Sequence, residues 1–360
     1  MRGGTGLTLW WMDSRGAVVE LRRYMQLGVT ILEHTTANKD VPLKLGEEKP
    51  PPSEEQAIVG IVKLQTDIMK ATNPHIRGQH PKAHGCVEAV FTVLPDIPSE
   101  LKVGLFQDPK SYKARIRFSN GKSPSDLVAD VHGMAIKVRG VKGKRALPRD
   151  KSGVQDFILI DNEVFLASDA ETLLGFMMAS VASQKNPEAI KAFAEKSEHN
   201  ARTVAIAQKM LKNEVPSPLA IPYSSTVPYK YGDRAVKYSV KPSEGTQVAM
   251  HRILSENYLR EAMVELLTKQ KKQAAFDFYV QMQTDAETMP IEDPTIAWAS
   301  PEIKVATIQI VPQNFDTPNR KKLCEKFSFS PWHALEAHRP LGGINRARRA
   351  VYEASSALRH

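Results

Sequence analysis

Hydrophobic positions along this chain change their period several times, and each change marks a new element. From Glu54 to Met69 (EEQAIVGIVKLQTDIM) apolar residues recur at helical spacing after a Pro-Pro-Ser start, which predicts a helix. Val87, Ala89, Phe91 and Val93 then alternate with Glu88, Val90 and Thr92, the two-residue period of a strand with one buried face. Asp108 to Asn120 repeats that period, with Ala114, Ile116 and Phe118 on one face and Arg115, Arg117 and Ser119 on the other. HGMAIKVRGV from His132 and VQDFILIDNEVFL from Val154 add two strands around a basic loop, KGKRALPRDK. Four closely spaced strands without helices between them argue for an antiparallel sheet or barrel.

The middle of the chain is helical: Ala170–Ala182, Pro187–Glu198 and Ala201–Asn213 are rich in Ala, Met, Leu and Lys. PSPLAIPYSSTVPYKYGDRAVKYSVKP returns to turns and a strand. A helix over Asn257–Lys272 leads into AAFDFYVQMQTD, where Phe276, Phe278, Val280 and Met282 alternate with Ala275, Asp277, Tyr279, Gln281 and Gln283. Lys304–Val311 is the last strand and a helix closes the chain. The order predicts an α+β fold, an antiparallel β core with surrounding helices, over residues 54–360. Residues 1–53 read as a peripheral extension ending in a charged, proline-rich linker, GEEKPPPSEEQ, that cannot build a core.

Composition adds little until charge is considered. Charged residues at 25 % and hydrophobic ones at 42 % are ordinary for a globular protein, but the formal net charge is +9. An anionic ligand or surface follows from that excess. Nucleic acid is a poor partner, because the basic residues are spread along the chain and no helix-turn-helix or RNP-type motif is present. Peripheral contact with anionic lipid fits the charge and the pair Trp10 and Trp11. The two cysteines, Cys86 and Cys324, form no CxxC and suggest no disulfide framework, so a reducing cytoplasm is the expected location. No apolar run is long enough to span a membrane. The start, MRGGTGLTLWWMDSRG, has a signal-like look, but Asp13 and Arg15 interrupt its apolar part.

Candidate chemistry lies near the two ends of the main domain. After Gly342 and Gly343 the chain runs to His360 without Gly or Pro, a helix in which Arg348, Tyr352 and Arg359 fall within roughly 60° of one another. A guanidinium close to a phenol favours the phenolate, a hard oxygen ligand. A surface helix with solvated arginines would show the same spacing, so this helix alone does not decide. Upstream, His75, His80 and His84 fall within ten residues; without an HExxH or CxxC pattern their spacing argues against zinc.

Together these segments resemble the catalase family. RGQHPK (Arg77–Lys82) is similar to the catalase distal motif, with an arginine three residues before the essential histidine and a lysine two after it. RFSN resembles the RFS segment, HGMAIKV with QDFILIDNEVF resembles RGFAxKF…WDLVGNNxPVFF, and FDFYVQMQT with DPT…VATIQI resembles the last barrel strands. RRAVY with Arg359 seven residues later resembles the RxxxY helix. The likeness covers residues 60 to 360, keeps the family's order and lacks its longer C-terminal portion. It implies an antiparallel β-barrel core of the catalase type and haem b (iron protoporphyrin IX) as cofactor. Tyr352 would be the iron ligand and Arg348 the guanidinium that keeps it ionised. His80 would be the distal acid–base residue and Ser119 its orienting partner. Arg77, Arg117 and Arg359 would pair with the haem propionates, and Phe165 would be an aromatic of the pocket wall.

Departures from the family qualify the activity. Gln79 replaces a valine beside the distal histidine and makes the roof more polar; His84 competes with His80 for the distal role. A gapless alignment puts Ile160 where catalases position peroxide with an asparagine, and a slip of one or two residues puts Asp161 or Asn162 there. Of that group, Asn162 is the expected catalytic residue. His132 replaces a family arginine. Met134, Met177 and Met178 suit core packing or a channel wall. The implied activity is cleavage of the O–O bond of hydrogen peroxide or an organic hydroperoxide. Rearrangement of a fatty acid hydroperoxide, similar to allene oxide synthases, is the alternative, and non-catalytic haem binding a second. A homodimer is the expected assembly.

Overall fold

The computed structural model describes residues 42–211, 215–245 and 255–359. Trp10, Trp11 and Asn213 lie outside the described residues. Nine strands are present among the described residues: β1 (Ala83–Val93), β2 (Ser111–Asn120), β3 (His132–Arg139), β4 (Val154–Ile160), β5 (Tyr223–Ser224), β6 (Tyr229–Tyr231), β7 (Arg234–Pro242), β8 (Ala274–Met282) and β9 (Glu302–Ile310). All pair antiparallel in the order β5-β4-β3-β2-β1-β9-β8-β7-β6, and β5 pairs back to β7. Eight strands therefore close into a barrel, with β6 a short hairpin partner of β7. Among the described residues seven α-helices surround it: α1 (Glu54–Thr72), α2 (Ala170–Ala182), α3 (Ala189–Ala194), α4 (Glu198–Met210), α5 (Tyr258–Val264, continued by a π turn to Lys269), α6 (Pro318–Lys326) and α7 (Gly343–Arg359).

The alternation read from the sequence is the inside–outside pattern of this barrel. Val87, Phe91, Ile116, Ile136, Phe276 and Ile308 belong to one fully buried cluster. An eight-stranded barrel has an interior just wide enough to be filled by side chains. Here Phe278 fills it, with its ring centroid 4.8 Å from Phe157, 5.3 Å from Phe91 and 5.5 Å from Tyr238.

Three features differ from the sequence reading. The single strand expected after Ala220 is three, β5 to β7. The helices over 187–198 and 201–213 divide earlier, because Ser197 is an N-cap whose side chain accepts from the Asn200 amide and starts α4 at Glu198. The third concerns the cysteines. Cys86 on β1 and Cys324 on α6 form a disulfide, with 5.7 Å between their Cα atoms and 238 residues between them in sequence, so the expectation of no disulfide is overturned. No helix among the described residues is long and apolar enough to cross a membrane.

Two features fix where α7 runs. Gly342 has φ +83°, and a Cβ there would lie 2.5 Å from the Ile291 carbonyl oxygen, so glycine alone allows the chain to turn into the helix. One turn on, Arg346 is held by Glu48 (2.6 Å), Glu54 (2.6 Å) and Glu292 (2.7 Å), which binds α7 to the start of α1 and to the segment before it.

Candidate functional site

The outer face of the barrel is buried where β2, β3 and β4 lie under the helices. Cross-strand register places Ser119, Gly133 and Ile160 in one row, and Arg117, Ala135 and Ile158 in the next. All six border the cavities between this face and α7. The middle strand contributes only a glycine and an alanine, so the row is low in its centre. A flat ligand can lie against such a wall.

His80 stands at one side of this floor in a backbone conformation that non-glycine residues rarely adopt, φ +54°. The surroundings hold it there. Its N–H donates to the Gly121 carbonyl (2.8 Å), and its own carbonyl accepts from Arg117 Nη2 (2.8 Å). Nδ1 is 3.1 Å from Ser119 Oγ, which leaves Nε2 as the nitrogen able to act on a ligand. Burial, with the charges of Arg117 and Arg348 adding to it, pushes the imidazole pKa down to about 3. The ring is therefore neutral at any ordinary pH.

Gly133 is what leaves room for that ring. A Cβ at 133 would lie 2.6 Å from His80 Nδ1 and 3.0 Å from Ser119 Oγ. Gly133→Ala is expected to cost about 1–3 kcal/mol through overpacking and to break the His80–Ser119 contact, since strand φ/ψ itself accepts alanine. Chemical denaturation measures the first effect; the pKa of His80, followed by its imidazole carbon NMR shifts, measures the second.

Tyr352 closes the cavity from the α7 side, bordering the same two lobes as His80. Arg348, one turn earlier, lies with its guanidinium carbon 5.7 Å from the centroid of the Phe165 ring. Its buried Nη1 has no hydrogen-bond partner.

Three further arginines form a rim. Arg77, Arg117 and Arg359 all border the smaller lobe, and the Nε of each is buried without a hydrogen-bond partner. Burial lowers the pKa of all three, and repulsion from neighbouring arginines adds to it for Arg77, down to about 10, and Arg117, down to about 9. All remain cationic at neutral pH and are crowded together, with the half-exposed carboxylate of Glu325 near them, 3.7 Å from Arg77 and 3.9 Å from Arg117. Buried charge of one sign with unpaired N–H groups is a site for a polyanionic ligand. Glu325 was not visible as a site residue in the sequence.

The two lobes have volumes of about 120 and 260 Å³ and share Gln65, Gln79, His80, Ile158, Val351 and Tyr352. Gln79 Nε2 donates to Gln65 Oε1 (3.0 Å), which gives the roof the polarity expected from the sequence. The larger lobe is mostly apolar, walled by Ile160, Phe165, Leu173, Phe176 and Met177, with Lys122 and Asp130 also on its lining.

The structure does not bring every sequence candidate to this cavity. Asn162 borders a different cavity, on the side of the barrel near β5 and β7, and its Nδ2 donates to the Val164 carbonyl (2.7 Å). Asp161 lies there too, and its carboxylate binds His132 through both the amide (2.8 Å) and Nδ1 (2.9 Å). Of the three aligned candidates, Ile160 is the one that faces His80's cavity, so an apolar side chain occupies that wall. His84 is turned away and buried, with Nε2 2.8 Å from Asn120 Oδ1. Met134 packs in the barrel core while touching the smaller lobe, Met177 borders the larger, and Met178 is exposed.

No protein-family model and no curated protein sequence matches the chain. Solved structures do. Catalase A from Saccharomyces cerevisiae superposes with a TM-score of 0.61 at 18 % identity, over 90 % of this chain and 68 % of that one. A fungal catalase gives 0.61 and 18 % over 90 % and 66 %, and a bacterial catalase 0.58 and 17 % over 94 % and 68 %. The fold is that of the catalases, and this chain spans about two thirds of their length.

Proposed function

We propose that this protein is a haem-dependent enzyme that cleaves the O–O bond of peroxides. The observation that carries this reading is the pairing of His80 and Tyr352 across one cavity whose rim holds buried arginine N–H groups without partners. The residues fit haem b: a phenol for the iron, guanidiniums with unpartnered Nε–H groups for two propionates, and a flat wall of Gly133, Ala135, Ile158 and Ile160 for the ring. Tyr352 would hold the iron with Arg348 favouring its phenolate, while Arg77, Arg117 and Arg359 would take the propionates and Phe165 the ring edge. Haem would supply the redox-active iron needed to reduce the O–O bond.

The chain supplies the proton chemistry. His80, neutral because it is buried, accepts a proton at Nε2 from the peroxide oxygen nearer the cavity floor and returns it to the departing oxygen. Ser119 keeps the ring in the plane this transfer needs. Ile158 and Ile160 keep competing water off the same face.

A second reading, rearrangement or cleavage of a fatty acid hydroperoxide, is favoured by the apolar lobe of about 260 Å³ that opens directly from His80 and Tyr352. Its walls are apolar, and Ile160 there offers no polar group to hold a small peroxide. One experiment tests both readings. Haemin is titrated into the protein, and the complex is given hydrogen peroxide or a polyunsaturated fatty acid hydroperoxide, each with and without an electron donor. Donor oxidation or oxygen release supports the first reading; epoxide or aldehyde products support the second. Haemin uptake with neither chemistry reduces the protein to a haem carrier, and failure to take up haemin refutes the proposal.

A further inference from the structure

The arginine rim ends on one short stretch of chain. Arg77 Nη2 donates to the carbonyls of Cys324 (3.3 Å) and Phe327 (2.6 Å), and Arg359 Nη2 donates to that of Glu325. The Glu325 carboxylate lies near Arg77 and Arg117. All these acceptors come from the C-terminal end of α6 and the residue after it. That helix has only nine residues, and Cys324 is the one buried among them. Its other holds are weak: Arg320 with Glu88 (3.6 Å) and Lys321 with Asp316 (2.9 Å) are largely exposed pairs, and Phe327 lies under Arg115 (4.1 Å). The firm attachment is the bond from Cys324 to Cys86, which sits on β1 directly opposite Arg117 of β2.

We propose that the Cys86–Cys324 disulfide is a redox-operated clasp on the arginine rim. Closed, it holds the 324–327 carbonyls and the Glu325 carboxylate on Arg77, Arg117 and Arg359. Open, it releases α6, so that the carboxylates of a dianionic ligand can enter and leave. The identity of that ligand as haem rests on the function proposed above; the clasp itself does not. Glu325 stands where an incoming carboxylate would pair, so it acts as the placeholder anion of the rim until a ligand carboxylate replaces it.

Both directions of the switch balance. A dithiol reductant attacks the sulfur of Cys86, the more accessible of the two cysteines, and expels the Cys324 thiolate. Its second thiol then displaces Cys86, leaving two protein thiols and an oxidised dithiol. In the reverse direction a peroxide oxidises one cysteine thiolate to a sulfenic acid and leaves as an alcohol or water. The other thiol displaces the sulfenic oxygen as water and restores the disulfide. The proposed substrate would thus close the clasp over the site that consumes it.

The test uses the haemin-loaded protein in oxidised form and after reduction by a dithiol, beside Cys86→Ser, which cannot close. Two quantities are read: amide hydrogen exchange over residues 318–329, and transfer of haemin to excess apomyoglobin. Reduction is expected to raise both at least tenfold, Cys86→Ser to match the reduced protein, and dithiol to leave Cys86→Ser unchanged. Equal exchange in both redox states overturns the clasp. So does faster exchange with unaltered haemin transfer, because the stretch would then not hold the rim. If neither form takes up haemin, the haem reading falls, while a redox-dependent exchange difference still upholds the clasp.

Discussion

Tyr352→Phe is expected to abolish the phenolate-ligated ferric haem spectrum of the loaded protein and to weaken haemin binding by about 100-fold or more. Losing an outer partner of a metal ligand costs about 10–100-fold in affinity, and losing the ligand itself belongs at or beyond the upper end. Some uptake should survive, because the rim arginines and the flat barrel wall do not depend on the phenol. Arg348→Met is the informative companion. It keeps the phenol but removes the cation one turn away, so haemin uptake should weaken, yet by less than in Tyr352→Phe. A Soret band unchanged in Tyr352→Phe would exclude α7 as the source of the ligand.

How much of this was legible in the sequence depends on the range of the signal. Barrel strands whose inward residues alternate, such as Phe276, Phe278 and Val280, announced themselves because the period-two pattern is local. So did α2, whose observed span equals the expected one. What closes the barrel did not. β5 is only Tyr223 and Ser224, too short for any period, and its identity comes from pairing with both Ile160 of β4 and Val240 of β7. The disulfide escaped for a related reason, since two cysteines 238 residues apart carry no spacing signal.

The site divides in the same way. The resemblance to catalase motifs, not spacing, singled out His80, Tyr352 and the arginines, and all of them border the two adjoining lobes of one cavity. Asn162 failed because its neighbourhood turns after β4 ends at Ile160: the chain leaves the barrel wall, and Asp161 is drawn to His132 instead. Gly133 and Glu325 could not be singled out beforehand. A glycine in a strand and a glutamate on a short surface helix gain their meaning only from what lies against them, the imidazole of His80 and the guanidinium cluster.

His80→Ala should retain haemin and cleave peroxide about 10²–10⁴-fold more slowly, the usual range for one positioned acid–base group. The parent protein's pH dependence should carry the same signature. Because burial, Arg117 and Arg348 hold the ring pKa down to about 3, His80 is neutral throughout pH 5–8 and its contribution to the rate should be level there. An acid limb centred near pH 6.5 would point to a solvated histidine and remove His80 from the role. His84 would not rescue such a limb, since burial holds its pKa well down as well. Stability follows the opposite logic. The unfolded chain takes up a proton at His80 below pH 6.5, the folded chain does not until about pH 3, so folding stability is lost as pH falls through that window. His80→Ala should therefore flatten the acid side of the stability profile while it depresses the rate, and denaturation midpoints at pH 4 and pH 7 measure that directly. A rate loss without the flatter profile would mean that the substitution disturbs the cavity by some route other than the imidazole.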